Sequence, residues 1–383
     1  MKLVAGAATP AIWSAQALGE ARAKPRVVVV GAGIIGVSIA YHLAGRGAEV
    51  TLVDKGSPGG GATQGAFAML IATHDESQTL NALYGMAVRD WRRLEAELRQ
   101  EVKIQWGGTC AWAQPGPAAE ALDEQTRKLV AWGAPIHAID AGDLQRLVPG
   151  VEAGPFGAGN FSPYQGTLDP SQALEALLAA ARARGARLLD HCEVISLQRS
   201  GETITAAVTT RGLLAADAFV LAAGADTPKL AGALGVTTPI DIVSGTLAHS
   251  APFPRRLHRV LNGPAGSLKQ DPDGRIVIGP DYRPGANGQD VSRAYGEQLL
   301  EVAGQVLPAL RGAHLERMTL GFVPIPKDGA PIIGFCRDPA NLYVALTMSG
   351  VTMAPIMGRF AAVEIVDRVA MEPLSPYRPA RFV

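Results

Sequence analysis

Residues 26–36 read RVVVVGAGIIG, and the reading of that run decides the fold. Arg26 to Val30 is a short β-branched stretch of the kind buried in a parallel sheet, and it ends directly in Gly31-Ala32-Gly33-Ile34-Ile35-Gly36. Apolar residues continue at helical spacing from Val37 to Gly45, Gly47 ends the helix, and Glu49 to Val53 (EVTLV) predicts a second strand closing with Asp54. Each part of this strand, turn, helix, strand unit has a physical task. Gly31 permits the tight turn, Gly33 lets the backbone approach a pyrophosphate, and Gly36 lets helix and strand pack closely. The helix N-terminus faces the anion, and Asp54 is placed to accept hydrogen bonds from a ribose. Glycines also end strands for structural reasons alone, so the motif takes its weight from the strand before it, the helix after it and the acid. Together these point to a bound dinucleotide.

Two later stretches support this reading. Ala216 to Gly224 (ADAFVLAAG) is another buried strand ending in small residues that permit close backbone approach. Pro170 to Gly185 predicts a helix with Leu174, Leu177 and Leu178 on one face, and Arg187 to Leu197 alternates as a strand.

A chain of 383 residues exceeds one ordinary compact core, and its 48% hydrophobic content excludes general disorder, so two globular domains are expected. Lys plus Arg and Asp plus Glu both number 35, so bulk charge attracts neither nucleic acid nor an anionic membrane surface, and a small-molecule partner is favoured. Cys110, Cys192 and Cys336 lie far apart without CxxC spacing and read as packed thiols. The histidines show no HxxxH or HExxH pair, so no protein-ligated metal is expected. In residues 1–24, Lys2 precedes an Ala-rich apolar run and Ala21-Arg22-Ala23 has the form of a signal-peptidase site. Two readings stand: an export signal, placing the protein in the periplasm, or a loose N-terminal arm, leaving it in the cytoplasm. No other segment has the roughly 18 uninterrupted apolar residues of a transmembrane span.

Four blocks carry a resemblance: VVVVGAGIIG, GTLDPSQALEALLAAARARGA, ADAFVLAAGADT, and GFVPIPKDGAPIIG with TMSGVTMAPIMGRFAAVEIV. In this order, from about Arg26 to Phe382, the chain resembles the FAD-dependent D-amino-acid oxidase, glycine oxidase and sarcosine oxidase family. The resemblance implies FAD rather than NAD. It implies that Gly31, Gly33, Gly36 and Asp54 hold the ADP half, Ala62 and Thr63 the pyrophosphate side, and Val194 the adenine through its main chain. Ile34, Ile35, Lys55, Ala223, Gly224 and Gly321 stand beside them. Gly321 to Gly334 looks like the family's return into the flavin domain, with prolines fixing a turn beside the isoalloxazine and Asp328 and Gly329 shaping it. Ser349, Gly350, Val351 and Thr352 open a helix running to about Val369, whose amides would face the flavin pyrimidine edge.

Three positions break the family pattern. An arginine that grips the substrate carboxylate commonly occupies the position of Val323, sarcosine oxidases carry a lysine at that of Thr352, and Ala68 lies close to another of their arginines. Either a carboxylate is bound from elsewhere, with Lys269, Arg283 or His74 as candidates, or the substrate is a neutral or hydrophobic amine in a pocket lined by Phe67, Met69, Val323 and Met348. For Lys269 the plain alternative is a solvated hairpin residue beside the Asp271-Pro272-Asp273-Gly274 turn. Asp281, after the strand Arg275 to Gly279, pairs with a substrate ammonium or merely forms a turn. His249 reads as a satisfied hydrogen-bonding residue. Sarcosine oxidases also carry an oxygen-promoting lysine near Val277.

The expected activity is oxidation of the C–N bond of an amine or amino acid by hydride transfer to flavin N5, giving an imine that hydrolyses, with oxygen or a quinone or other carrier as acceptor. The alternative is an FAD-binding non-catalytic or heteromeric subunit of an amine or amino-acid dehydrogenase complex. The expected fold is α/β: a Rossmann-like FAD domain from residues 25–80, 150–228 and 317–383, interleaved with an antiparallel-sheet substrate domain from 81–149 and 229–316. Trp91 to Leu98 predicts an exposed amphipathic helix in the second part.

Overall fold

The computed structural model describes residues 24–99, 101–279 and 288–382. Its first sheet is built on the buried runs marked by the sequence. β1 (Arg26–Val30) lies between β2 (Glu49–Val53) and β13 (Ala218–Leu221). β9 (Arg187–Leu189) extends the sheet beyond β2, and β20 (Leu342–Leu346) then β19 (Ile332–Phe335) extend it beyond β13. Neighbours are parallel except β19 and β20. Val30 stands opposite both Val53 and Leu221, so three strands finish level and the turns they lead into share one crevice.

One face of this sheet is covered by α1 (Ile34–Gly45), α5 (Pro170–Ala183) and α8 (Gly350–Ala362), with α2 (Gln78–Glu97) against α8. Asp169 caps α5 by accepting from the Ser171 and Gln172 amides, and Pro170 supplies a first-turn residue with no amide to satisfy. The other face packs on β10 (Val194–Ser200), β11 (Thr203–Thr209) and β12 (Gly212–Ala215), while α6 (Thr227–Gly232) follows β13.

A second sheet runs in the order β18 (Leu315–Pro326), β14 (Ile240–Ser250), β17 (Ile276–Gly279), β16 (Gly266–Gln270), β15 (Val260–Gly263), β5 (Thr109–Ala113), β7 (Ala158–Ser162), β6 (His137–Ala138). Period-two alternation divides its side chains. Leu261, Leu268, Ile276 and Ile278 pack on α7 (Arg293–Val306) and α4 (Ala141–Leu147), whereas Leu247, Val260 and Val277 meet Phe67 on the crevice side. α3 (Pro117–Ala131) is tied to β7 where Asn160 Nδ2 donates to Thr126 Oγ1 at 2.9 Å. Between the sheets, β3 (Met69–Leu70), β8 (Gly166–Leu168) and β4 (Ile104–Gln105) form a short three-stranded bridge.

Several sequence expectations are revised. The single strand expected over Arg187 to Leu197 is two strands, because β9 joins the parallel sheet and β10 turns away from it. Trp91 is not on an exposed helix: it is 0% exposed, and its Nε1–H donates to the carbonyls of Val351 (2.9 Å) and Thr352 (3.1 Å). The stretch Gly321 to Gly334 is only briefly a turn. It begins as the end of β18, which tolerates Pro324 and Pro326 because it is the sheet's outermost strand and needs no amide donor on its free side. The helix from Ser349 is α-helical only to Ala362, with a π turn to Asp367. The domain division also differs from that drawn on sequence. α2, assigned to the second part, packs in the first core, and β7 and β18, assigned to the first, are strands of the second sheet.

Two buried histidines give the fold a pH limit. Burial, reinforced by neighbouring arginines, pulls His42 on α1 and His249 on β14 down to about 3. The unfolded chain takes up these protons near pH 6.5, which the folded chain refuses until about pH 3. Stability therefore declines as pH falls through that window, by about 1.4 kcal/mol per unit for each imidazole. His249 Nε2 lies 2.9 Å from Thr319 Oγ1. We expect His249→Gln, which can keep a bond to Thr319 without titrating, to flatten the dependence of Tm on pH between about 6.5 and 4. Scanning calorimetry showing the parent slope unchanged in the variant would refute this.

Candidate active site

No side chain fits where β1 ends. Gly31 holds φ +103°, in the left-handed region, and a Cβ there would lie 2.4 Å from the Ala222 carbonyl oxygen. A Cβ on Gly36 would lie 1.9 Å from the Gly31 carbonyl oxygen, so the turn, α1 and β13 touch backbone to backbone. Gly33 differs: the only close neighbour of a Cβ is Thr63 Oγ1 at 3.3 Å, and the residue lines the crevice. Gly33 caps α1 with no side chain, and the Ile34 amide donates instead to Thr63 Oγ1 at 3.1 Å. The Asp54 carboxylate accepts from the amides of Ala32 (2.6 Å) and Gly56 (2.8 Å), bracing the glycine turn from the crevice wall.

A cavity of about 1410 Å³ runs along this edge. Gly31, Gly33, Ile34, Ile35, Asp54 and Lys55 line it, as do Ala62, Thr63, Val194, Ala223 and Gly224. Lys55 pairs with Asp226 at 2.6 Å, and Lys229 stands nearby after β13. The wall suits an extended dinucleotide: it lacks Cβ atoms at the turn, presents a helix N-terminus without its own cap, and carries a carboxylate at the end of β2. Gly36 and Gly321 are not on it. Gly36 lies under the turn, and Gly321 meets Gly65, where a Cβ on either glycine would strike the other's backbone within 2.8 Å.

The cavity continues to an apolar end formed by Phe67, Met69, Val323 and Met348, with Ile242 and Phe322 also on its lining. Among the described residues, the only cations on the whole wall are Lys55 and Lys229, both at the dinucleotide end. The carboxylates on it are Asp54, Asp75, Glu193 and Asp226. Ser349, Gly350, Val351 and Thr352 bring the start of α8 to this wall. Tyr84 donates to Ser349 Oγ at 2.8 Å, and burial pushes its phenol up to about 12, which keeps it a donor at neutral pH. Thr352 Oγ1 donates to the Met69 carbonyl (3.0 Å) and accepts from the Ile71 amide (3.1 Å), so its hydroxyl fastens α8 to the bridge sheet.

Lys269 is neither solvated nor on the cavity wall. It is 1% exposed, its Nζ donates to the Leu168 carbonyl at 2.8 Å, and it pairs with Asp271 at 2.7 Å behind the Phe67 ring. Burial raises the Asp271 carboxyl while Lys269 holds it down. His74 stacks on Tyr84, with ring centroids 4.7 Å apart, and its Nδ1 accepts from the Glu76 amide. Asp281 and Arg283 lie outside the described residues. The turn residue Asp328 is gripped by Arg381 and is not on the wall. Sequence reasoning missed Gly59, Gly60 and Gly61, which line the cavity and which the run SPGGGAT could have flagged. It also missed Gln125, Asn262 and Ser267, which carry no motif and reach the cavity only through sheet register.

Residues 26–363 match the family model described as DAO, FAD dependent oxidoreductase. The chain belongs to the DAO family of FAD dependent oxidoreductases. It is 27% identical over 368 residues to a glycine oxidase of Geobacillus kaustophilus, covering 93% of this chain and 97% of that protein. The crystal structure of glycine oxidase from that organism superposes with a TM-score of 0.85 at 24% identity, over 94% of this chain and all of that one. L-proline dehydrogenase from P. horikoshii superposes with a TM-score of 0.82 at 22% identity, over 94% and 98% of the two chains. The fold is thus that of the family and the cofactor is FAD. Among the described residues no helix is long and apolar enough to cross a membrane.

The glycines separate into two roles that experiment can distinguish. Gly36→Ala is expected to lower Tm by several degrees with or without FAD, because its Cβ strikes backbone. Gly33→Ala is expected to leave the apoprotein folded and weaken FAD binding by about tenfold. Thermal melts at graded FAD concentrations read both effects, and equal losses of apoprotein stability would defeat the distinction.

Proposed function

We propose that this flavoenzyme oxidises the C–N bond of an amine or amino acid whose carboxylate, if it has one, is not gripped by a cation in the usual family position. The observation that carries this reading is the join between the two ends of the cavity: a dinucleotide cradle opening directly onto a chamber walled by Phe67, Met69, Val323 and Met348. When bound, FAD supplies a two-electron acceptor whose N5 takes a hydride from the carbon next to nitrogen, leaving an imine that water hydrolyses. The chain's own task is to bind and orient. The apolar walls exclude water, and the start of α8, with Ser349 held by Tyr84, presents a positive helix end to the cavity. Positioning of this kind requires no general base on the protein.

Sarcosine oxidases carry an oxygen-promoting lysine near Val277, and Lys269 lies directly across from Val277 in register. With its charge compensated by Asp271, Lys269 offers no free ammonium there, which supports a carrier or quinone rather than oxygen as acceptor.

Under anaerobic conditions, we expect the visible flavin absorption to bleach with at least one member of a panel of amines, N-methyl amines, prolines and D- and L-amino acids, and to return faster with a soluble quinone than with air. Bleaching by dithionite but by no panel member would favour the non-catalytic subunit reading instead. Val323→Arg restores a planar cation to the wall and is expected to tighten binding of a simple carboxylate such as glycolate by about tenfold or more. Spectral titration showing no gain would place Val323 away from the substrate.

A further inference from the structure

We infer that the part of the substrate lying against the second sheet carries an uncharged group that both donates and accepts hydrogen bonds, best met by a carboxamide. The inference deepens the reading above and rests on it.

Across β7, β5, β15 and β16, Asn160 stands opposite Ala111, Ala111 opposite Asn262, and Asn262 opposite Ser267. The row continues from Ser267 to Gly279 on β17. These residues alternate with Cys110, Trp112, Leu261, Leu268 and Ile278, which face the helical layer, so the row itself faces the crevice. Asn262 and Ser267 line the cavity, and Gln125 joins them from α3, next to Thr126, which accepts from Asn160. One strip of the floor, formed by Asn262, Ser267 and Gln125, is therefore neutral and polar between apolar walls.

Ser267 Oγ donates to Asn262 Oδ1 at 3.2 Å, which fixes the amide so that its NH₂ remains the available donor. Asn262 is held rigidly: β15 lies between β5 and β16, and a Cβ on the next residue, Gly263, would strike the Trp112 ring at 2.4 Å. Sites on interior strands hold geometry better than loops do. A carboxylate set on this strip would find no partner in the lining cations Lys55 and Lys229, which stand at the dinucleotide end, nor in Lys269, which is locked behind Phe67 by Asp271 and Leu168. A carboxamide can pair with Asn262 and Gln125 in both directions without bringing in an uncompensated charge.

The test uses the FAD-loaded protein and two analogues without an α C–H, 2-amino-2-methylpropanamide and 2-amino-2-methylpropanoate. Binding is read from perturbation of the flavin spectrum, with no turnover required. The parent is expected to bind the amide about tenfold tighter than the acid. Asn262→Leu and Gln125→Leu are each expected to shrink that ratio to about threefold or less. Gln125 is half-buried on a helix, so its variant decides the matter if Asn262→Leu does not fold. A parallel anaerobic comparison of glycinamide with glycine should show the same preference in kcat/KM. Tighter binding of the acid, or a preference for the amide that survives both substitutions, overturns the inference. A flavin reduced by no amine would overturn the proposed reaction, while the analogue titration would still decide what the floor recognises.

Discussion

Everything at the ligand edge depends on the absence of two Cβ atoms, those of Gly31 and Gly36. Strands β1 and β13 end level, and the turn after β1 passes so close to Ala222 that a methyl on Gly31 would lie inside van der Waals contact. Gly36 extends the same constraint into α1, whose first turn can then rest on the Gly31 carbonyl. If either contact is forced apart, the helix start and the strand ends no longer share a crevice. The Asp54 carboxylate closes the arrangement by holding two amides of neighbouring turns. Such a cradle is made chiefly of backbone, and it places strong demands on a few glycines and weak ones on everything around them.

The second sheet is attached to this cradle by a comparable close approach. Strand β18 pairs with β14 along nearly its whole length and then carries Leu320, Phe322 and Val323 onto the cavity wall. At Gly321 it presses against Gly65, backbone to backbone, so the wall cannot drift from the crevice. The chain then turns at residues 327–330, where Arg381 near the C-terminus grips Asp328, and re-enters the parallel sheet as β19. Cradle and chamber are thus coupled through one edge strand, and its prolines are tolerated because that edge is free.

The cradle was legible in sequence because its parts are local. Strand, glycines, helix and acid follow one another within thirty residues, and each leaves a mark in composition or period. The chamber was half legible. Phe67, Met69, Val323 and Met348 could be placed by resemblance, whereas Gln125, Asn262 and Ser267 meet only because two paired strands and a distant helix come together at the cavity. Lys269 shows the limit most clearly. A lysine two residues before Asp-Pro-Asp-Gly reads as a surface charge, since local rules see only the turn. The structure buries it because Phe67, from a distant segment, closes over it and Asp271 supplies the countercharge. Trp91 follows the same logic: its helix is amphipathic in sequence, but the partner that covers it, α8, lies at the far end of the chain.

Neutrality of the chamber bears on chemistry as well as on recognition. An amine can lose a hydride only as the free base, so the site must take it from water without its extra proton. On the crevice sheet, burial and nearby cations already hold the His249 imidazole neutral down to about pH 3. The same loss of solvation would act on an ammonium brought against Phe67, Met69 and Val323 and favour the loss of its proton. Asp75 opposes this from the wall, and a carboxylate on the substrate would oppose it further by favouring the cation. A floor of neutral amides removes that second opposition. On the proposed reading, the uncharged positions at Val323 and Thr352 and the polar strip of Asn262 and Ser267 become one arrangement, in which hydrogen bonds would hold the substrate and leave its nitrogen free to be uncharged.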